Sequence, residues 1–228
     1  MNAVSRIFSR YSARARAFRA GLFRQKFDID RETRILDLGS EDGSNIASVL
    51  DGSNVLPANV YIADIDSDAI ERGRANYGFK PVLLGEDGLL PFEYRFFDIV
   101  YCSSVLEHVT SRKSDIWQIT SGSEFRTVAH AAQERLAKEV TRVGKRYFVQ
   151  TPCRSFPIES HSWLPIVGML PREFIVPLFK LTNRIWVKKT IPDFYLLSKT
   201  ELQRLFPHAE IIEERSFGFT KSLMAIGR

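Results

Sequence analysis

Only two cysteines, Cys102 and Cys153, occur in 228 residues. That excludes a disulfide framework and any paired-cysteine zinc spacing, and it points to a reducing compartment such as the cytoplasm. Long hydrophobic runs are also missing: none reaches the roughly 18 residues expected of a spanning helix, and the N-terminus has no continuous apolar core of the secretory kind. Internal repeats and low-complexity tracts are absent. Acids are absent from residues 1–27, which carry seven basic side chains (Arg6, Arg10, Arg14, Arg16, Arg19, Arg24 and Lys26). The net charge is +5, so the remaining residues sum to −2. Basic character therefore belongs to one segment, and the overall charge is weak grounds for a nucleic-acid substrate.

What is present suits one α/β domain with an elaboration: 44% hydrophobic residues can fill a core. Residues 1–30 read as a basic amphipathic arm, because Ile7, Phe8, Tyr11, Ala15, Phe18, Leu22 and Phe23 recur at roughly helical spacing. Three readings of it stay open: a helix packed across the domain edge with a solvated basic face, a surface that meets an anionic membrane or acceptor, and an organellar transit segment. From residue 31 a single domain follows. Strands are expected at Arg34–Leu38, Val60–Asp64, Pro81–Leu84, Phe97–Cys102 and Arg146–Gln150. Helices are expected at Ser44–Leu50, Ser67–Tyr77, Ser104–Val109 and Thr127–Val143. This alternation predicts a doubly wound, mostly parallel, Rossmann-like sheet. Ala209–Arg215 and Ser222–Gly227 leave no room for a crossover helix and predict an antiparallel hairpin, closing a seven-stranded sheet. Between them, residues 152–197 are apolar and aromatic, with prolines at 152, 157, 165, 171, 177 and 192. They read as an inserted cap of short helices.

Residues 34–45 carry the strongest signal. Ile35, Leu36 and Leu38 form a short buried strand, Gly39 and Gly43 turn the backbone, and a helix starts near Asn45. A strand, a glycine turn and a helix start build a cradle for a small ligand. The spacing is Gly-x-x-x-Gly rather than Gly-x-Gly-x-x-Gly, and no Lys-Ser or Lys-Thr follows for a triphosphate. Asp37 precedes the first glycine, and a carboxylate there suits a cationic ligand. S-adenosylmethionine, with its sulfonium and ammonium, fits.

Four segments in order then resemble the class I S-adenosylmethionine-dependent methyltransferases, within the methyltransferase type 11 group that includes quinone-biosynthesis enzymes. They are Ile35-Leu-Asp-Leu-Gly-Ser-Glu-Asp-Gly43, Val60-Tyr-Ile-Ala-Asp-Ile-Asp66, Gly85-Glu-Asp-Gly-Leu-Leu-Pro-Phe92 and Phe97-Asp-Ile-Val-Tyr-Cys-Ser-Ser-Val-Leu-Glu-His-Val109. The resemblance spans about residues 34–151 and 198–228. It implies S-adenosyl-L-methionine as cofactor, held by Asp37, Gly39, Ser40, Glu41, Gly43, Asp64, Ile65, Asp87, Gly88 and Ser103. Asp64, at a strand end 25 residues after Gly39, can accept from both ribose hydroxyls. Asp66 is the nearby alternative, or caps the next helix. Asp87 and the Gly88 N–H match positions that meet the adenine edge, Ile65 packs on its face, and Gly39 and the backbone near Ser103 hold the methionine end. Asp37 is expected to order the loop and compensate positive charge. Glu41 departs from the family, which commonly has glycine there.

Methyl transfer is an in-line displacement at sulfur, and a base is needed only if the acceptor must lose a proton. His108, just after the fourth strand, and His161, just after the fifth, are the candidate catalytic residues; His130 and His208 read as structural or exposed. No metal is assigned: Ser104 stands where the Glu-x-x-Glu-His magnesium pattern of some relatives has its first ligand, and Glu159 and His161 make a thin substitute set for magnesium. Pro152-Cys153-Arg154 follows the wrong strand for a cytosine-directed nucleophile, and no Asn-Pro-Pro-Tyr motif or aromatic basic strand is present, which disfavours nucleic acid. The expected activity is transfer to a small-molecule or lipid-linked acceptor, a saccharide included, at oxygen, with peripheral contact at the inner face of a membrane through the basic arm. The rival readings are an RNA or DNA methyltransferase and a non-catalytic binding protein with a degenerate cofactor site.

Overall fold

The computed structural model describes residues 3–228 except 86–87, 112–114, 160 and 187, with side chains from residue 11 onward. Seven strands form one sheet: β1 (Ile35–Leu38), β2 (Val60–Asp64), β3 (Lys80–Leu83), β4 (Phe97–Ser103), β5 (Gly144–Pro152), β6 (Glu210–Ser216) and β7 (Phe219–Gly227), in the order β3-β2-β1-β4-β5-β7-β6. The first five are parallel, and β7 pairs antiparallel with both β5 and β6. Strand order reverses between β1 and β4, which opens a crevice at their carboxyl ends. The register aligns what lies there: Leu38 pairs with Ala63 and Cys102, and Ser103 pairs with Gln150. The loops after β1, β2, β4 and β5 therefore converge on one edge.

Helices α1 (Ala3–Lys26), α2 (Ser44–Val49), α3 (Ser67–Tyr77), α4 (Gly122–Val143), α5 (Arg172–Ile185) and α6 (Lys199–Leu205) complete the chain. The central strands are buried on both faces: β1 is buried at all four positions, as a parallel strand between helical layers must be. One core joins Leu36, Leu38, Val100 and Cys102 to Leu136 and Val140 of α4 and Leu202 of α6; the other joins Ile35, Ile62, Ile99 and Tyr101 to α2, α3 and α1.

The basic arm is thus one helix whose end belongs to the core. Phe23 is fully buried and meets Tyr101 and Phe148 edge to face, at centroid distances of 5.3 and 5.6 Å. Burying a ring of that size contributes about 1.5–3 kcal/mol. Arg14 and Arg16 are solvated, whereas Lys26 pairs with Glu210 at 2.8 Å and Arg24 donates to the Val49 carbonyl. Among the described residues no helix is long and apolar enough to cross a membrane.

Several boundaries differ from expectation. The helix expected over Ser104–Val109 is a single 3-10 turn, Leu106–His108. Ser104 takes a left-handed φ of 61° and gives its N–H to the Gln150 carbonyl, so no helix can start there. α4 starts five residues earlier than Thr127, at Gly122, where Ser121 accepts from the Glu124 N–H. The hairpin turn is only Phe217–Gly218, with φ of 50° and 82°, the positive pair that a two-residue turn between twisted strands requires. β7 consequently begins at Phe219 rather than Ser222. In the cap, a 3-10 turn at Val167–Met169 precedes α5, which starts after Pro171 and runs through Pro177 for 14 residues. Val176 and Phe179 anchor it, and Val167, Phe179, Phe194 and Leu196 make a small core of their own.

Candidate active site

The end of the crevice where the cofactor is expected is made largely of backbone. Gly39 takes φ +69° and donates to the Ala63 carbonyl at 2.8 Å, and a Cβ there would collide with Val105. Gly43 takes φ +72°, and its N–H bonds the Ser40 carbonyl at 2.9 Å. Glu41 also sits in the left-handed region, at φ 50°, with its side chain exposed. A Cβ is strained in that conformation, which glycine, expected here from the resemblance, adopts freely.

Asp64 knits these loops together. Its Oδ2 accepts from the Glu41 N–H at 2.8 Å, and its Oδ1 from the N–H groups of Ile65 (2.7 Å) and Asp66 (3.1 Å). A carboxylate offers about four acceptor sites. One remains, so a ribose that engages both hydroxyls must displace a backbone N–H. Asp66 caps α3 by accepting from Ala69 at 3.0 Å. Ile65, next to Asp64, and Leu83, paired with Asp64 in the sheet, are about 60% exposed. Gly88 follows at φ +69°. Asp87 lies outside the described residues.

Asp37 is buried and its Oδ2 has no hydrogen-bond partner. Burial, and secondarily the charge of Asp64, pushes its pKa well above the usual carboxylate range. The loop N–H groups of Glu41, Ile65 and Asp66 bond to Asp64, while Asp37 Oδ2 bonds to none. Ser40 Oγ and Gln150 Nε2 are likewise buried without partners. Ser103 and Ser104 both donate to Gln150 Oε1, at 2.8 and 3.0 Å. Gln150 was not foreseen, since its role arises only from the pairing of β4 with β5. These three unpartnered polar atoms belong to β1, the loop after it and β5.

The other end is made of side chains. His108 and His161 meet edge to face, with ring centroids 4.6 Å apart. His108 Nδ1 lies 3.2 Å from Asp193 Oδ1. Burial works against its charge, but the Asp193 hydrogen bond and the charges of Glu107, Asp193 and Glu159 outweigh it and raise its pKa. His161 Nδ1 lies 2.6 Å from Glu159 Oε1, and its ring stacks on Phe194. Glu159 is almost wholly buried; desolvation opposes its charge, but His161 and Ser162 hold its carboxyl below the usual range. Glu107 is fully buried, with Oε2 accepting from Thr151 at 3.0 Å and Oε1 lying 3.8 Å from His161 Nε2. His108 and His161 are thus brought together as expected, while Asp193, 85 residues from His108, carried no local signal. His130 pairs with Glu201 at 3.6 Å on α4, and His208 is exposed. Cys153 is buried beside Ser155. A separate cavity of about 330 Å³, lined by Arg154, Lys199, Glu213 and Thr220 among others, contains none of the expected site residues.

This sheet order, the glycine loop after β1 and the acid at the end of β2 define a class I S-adenosylmethionine-dependent methyltransferase. A family model described as a methyltransferase domain matches residues 36–149, half of the chain, and the protein belongs to that family. Its cofactor is S-adenosylmethionine. Among solved structures, a protein of Pyrococcus horikoshii is similar with TM-score 0.58 and 17% identity, over 95% of this chain and 90% of that one. The magnesium protoporphyrin IX methyltransferase of Synechocystis, with S-adenosylhomocysteine bound, has TM-score 0.56 and 13% identity over 100% and 89%. The CurJ carbon methyltransferase has TM-score 0.52 and 14% identity, over 90% and 50%. No curated protein matches. At these identities the likeness is one of fold, and the named acceptors belong to those proteins.

Proposed function

We propose that the acceptor is a small or lipid-linked molecule with an apolar or aromatic body and a hydroxyl that receives the methyl group. The observation that carries this is the carboxylate–histidine set of buried Glu107 with half-buried His108 and His161, backed by Glu159, Thr151 and Asp193. Such a set takes up a proton from oxygen or stabilises the anion its loss leaves. A carbon nucleophile already activated by its own conjugation needs no such group. The apolar part of the acceptor is suggested by α5, which leaves Phe174, Leu181 and Ile185 exposed. Its end adjoins the His161 loop: Trp186 Nε1 donates to the Ser162 carbonyl at 2.9 Å, and Thr190 Oγ1 to the His161 carbonyl at 3.0 Å. Lys180, Arg184 and Lys189 are on or just after this helix. Basic charge beside apolar surface suits an anionic lipid interface, as do Arg14, Arg16 and the half-exposed Phe18 of α1.

The cofactor is assigned to the backbone end. Gly39, Ser40 and Ser103 flank the methionine moiety, with Asp37 opposite the sulfonium or ammonium. Gly43 shapes the turn, Glu41 borders it, Asp64 takes the ribose, and Ile65, Asp87 and Gly88 surround the adenine. The transfer forms an O–C bond as the C–S bond breaks, leaving the electron pair on a neutral thioether. The test is a screen for S-adenosylhomocysteine release with hydroxylated aromatic and lipid-linked saccharide acceptors, beside carbon and amine nucleophiles and RNA. Turnover with a hydroxyl acceptor, lost on Glu107→Gln, is expected. Turnover confined to carbon, nitrogen or RNA acceptors would overturn the reading.

A further inference from the structure

The same set of side chains has the geometry of a metal centre. Glu107, His108 and His161 each offer one ligand atom, and these atoms lie within 4.8 Å of one another. Bonds of about 2.0–2.1 Å place tetrahedral ligand atoms about 3.4 Å apart, so a small inward rotation of the rings closes the set around an ion. Both rings are already prepared. A carboxylate at Nδ1, Glu159 for His161 and Asp193 for His108, fixes the proton on that nitrogen and leaves the lone pair on Nε2. This is the outer-sphere arrangement of metal-ligating histidines. Glu107 supplies the second, independent observation. It is 0% exposed, Thr151 occupies Oε2, and Oε1 is a buried carboxylate oxygen with no hydrogen-bond partner, directed to His161 Nε2. A buried charge left this way is costly, and a cation between Oε1 and the two rings removes the cost.

We propose that Glu107 Oε1, His108 Nε2 and His161 Nε2 bind one divalent first-row transition ion of the zinc or cobalt kind. Two imidazoles and a single carboxylate match the preference of such ions, whereas magnesium and calcium call for more oxygen ligands. Three protein ligands leave at least one position open. On the reading that the acceptor is a hydroxyl, its oxygen takes that position and its acidity rises. The O–H proton leaves to water, and the oxygen pair attacks the methyl carbon as the C–S pair returns to sulfur. The histidines are then ligands rather than proton carriers, and their carboxylate partners position them.

Binding is read without acceptor or cofactor. Chelator-treated protein is titrated with cobalt(II), following visible d–d absorption and the stoichiometry. One ion per chain, displaced by one equivalent of zinc, is expected. His161→Ala and Glu107→Gln each weaken binding at least 30-fold, Glu159→Gln about tenfold, and His208→Ala not at all. S-adenosylhomocysteine affinity serves as the folding control for every variant. Absence of stoichiometric cobalt binding, or binding unchanged in His161→Ala, overturns the proposal. The two readings fail separately: bound cobalt without hydroxyl methylation refutes only the acceptor, and hydroxyl methylation indifferent to chelation refutes only the metal.

Discussion

The two ends of the crevice are built by different means. At the end proposed for the cofactor, the contacts that hold the structure are N–H groups of the loops after β1 and β2, with Asp64 as their common acceptor and Gly39 and Gly43 at positive φ. At the end proposed for the acceptor they are side chains from segments far apart in the chain, buried Glu107 with half-buried His108 after β4, buried Glu159 with half-buried His161 after β5, and half-buried Asp193. Backbone geometry recognises a fixed ligand and tolerates little substitution. A side-chain cluster drawn from distant segments can change without disturbing those backbone loops. The ends should therefore respond independently to mutation.

Substitutions that separate the ends test this. The largest effect is expected from Gly39→Ala, which combines a left-handed backbone with a collision against Val105 and should cost about 4 kcal/mol, read as a lowered Tm together with lost cofactor binding. Next is Arg172→Met in the cap. Arg172 donates to the carbonyls of Ile119, Pro192 and Ile116 at 2.6–2.8 Å. Its loss should cost about 3 kcal/mol in urea unfolding yet leave S-adenosylhomocysteine affinity within twofold. A weakening as large as that of Gly39→Ala would join the two ends.

A smaller effect belongs to the seam where the cap returns to the sheet. Glu201 is bound by Ser198 in a capping box and by Arg154 at 2.8 Å. Burial opposes its charge, but Ser198 and Arg154 prevail and hold its pKa at about 2. A carboxyl depressed on folding contributes stability above its unfolded pKa of about 4.3, and the contribution fades as pH falls toward the folded value. After discounting for solvent screening, Glu201→Gln should cost about 1.5 kcal/mol at pH 7. The difference from wild type should shrink between pH 4.5 and the folded value of about 2. A difference independent of pH would contradict the charge-based account. The smallest change is Glu41→Gly, which relieves a left-handed residue and should raise stability by about 1 kcal/mol in urea unfolding, with cofactor affinity within threefold.

The same contrast governs what could be read from the residues alone. The five parallel strands and the hairpin were legible because the strands are short apolar runs, β1 followed by Gly39 and β2 ended by Asp64, and these two ends stand beside each other in neighbouring strands. The turn at Leu106–His108 was misread as a helix, since Ser104's left-handed backbone depends on its bond to Gln150. The helical pattern of α5 was obscured by Pro177, which Val176 and Phe179 hold in place by burial. Both histidines were visible from their positions after strands. Their carboxylate partner Asp193 and the orphaned Glu107 oxygen were not, because tertiary packing alone brings them together.

Calorimetric titration of S-adenosylhomocysteine into wild type, Asp64→Ala and Glu107→Gln tests the independence of the two ends most directly. The account predicts micromolar binding to wild type, at least tenfold weaker binding to Asp64→Ala, and binding within twofold of wild type for Glu107→Gln. Unchanged affinity in Asp64→Ala, or an equal loss in Glu107→Gln, would contradict it.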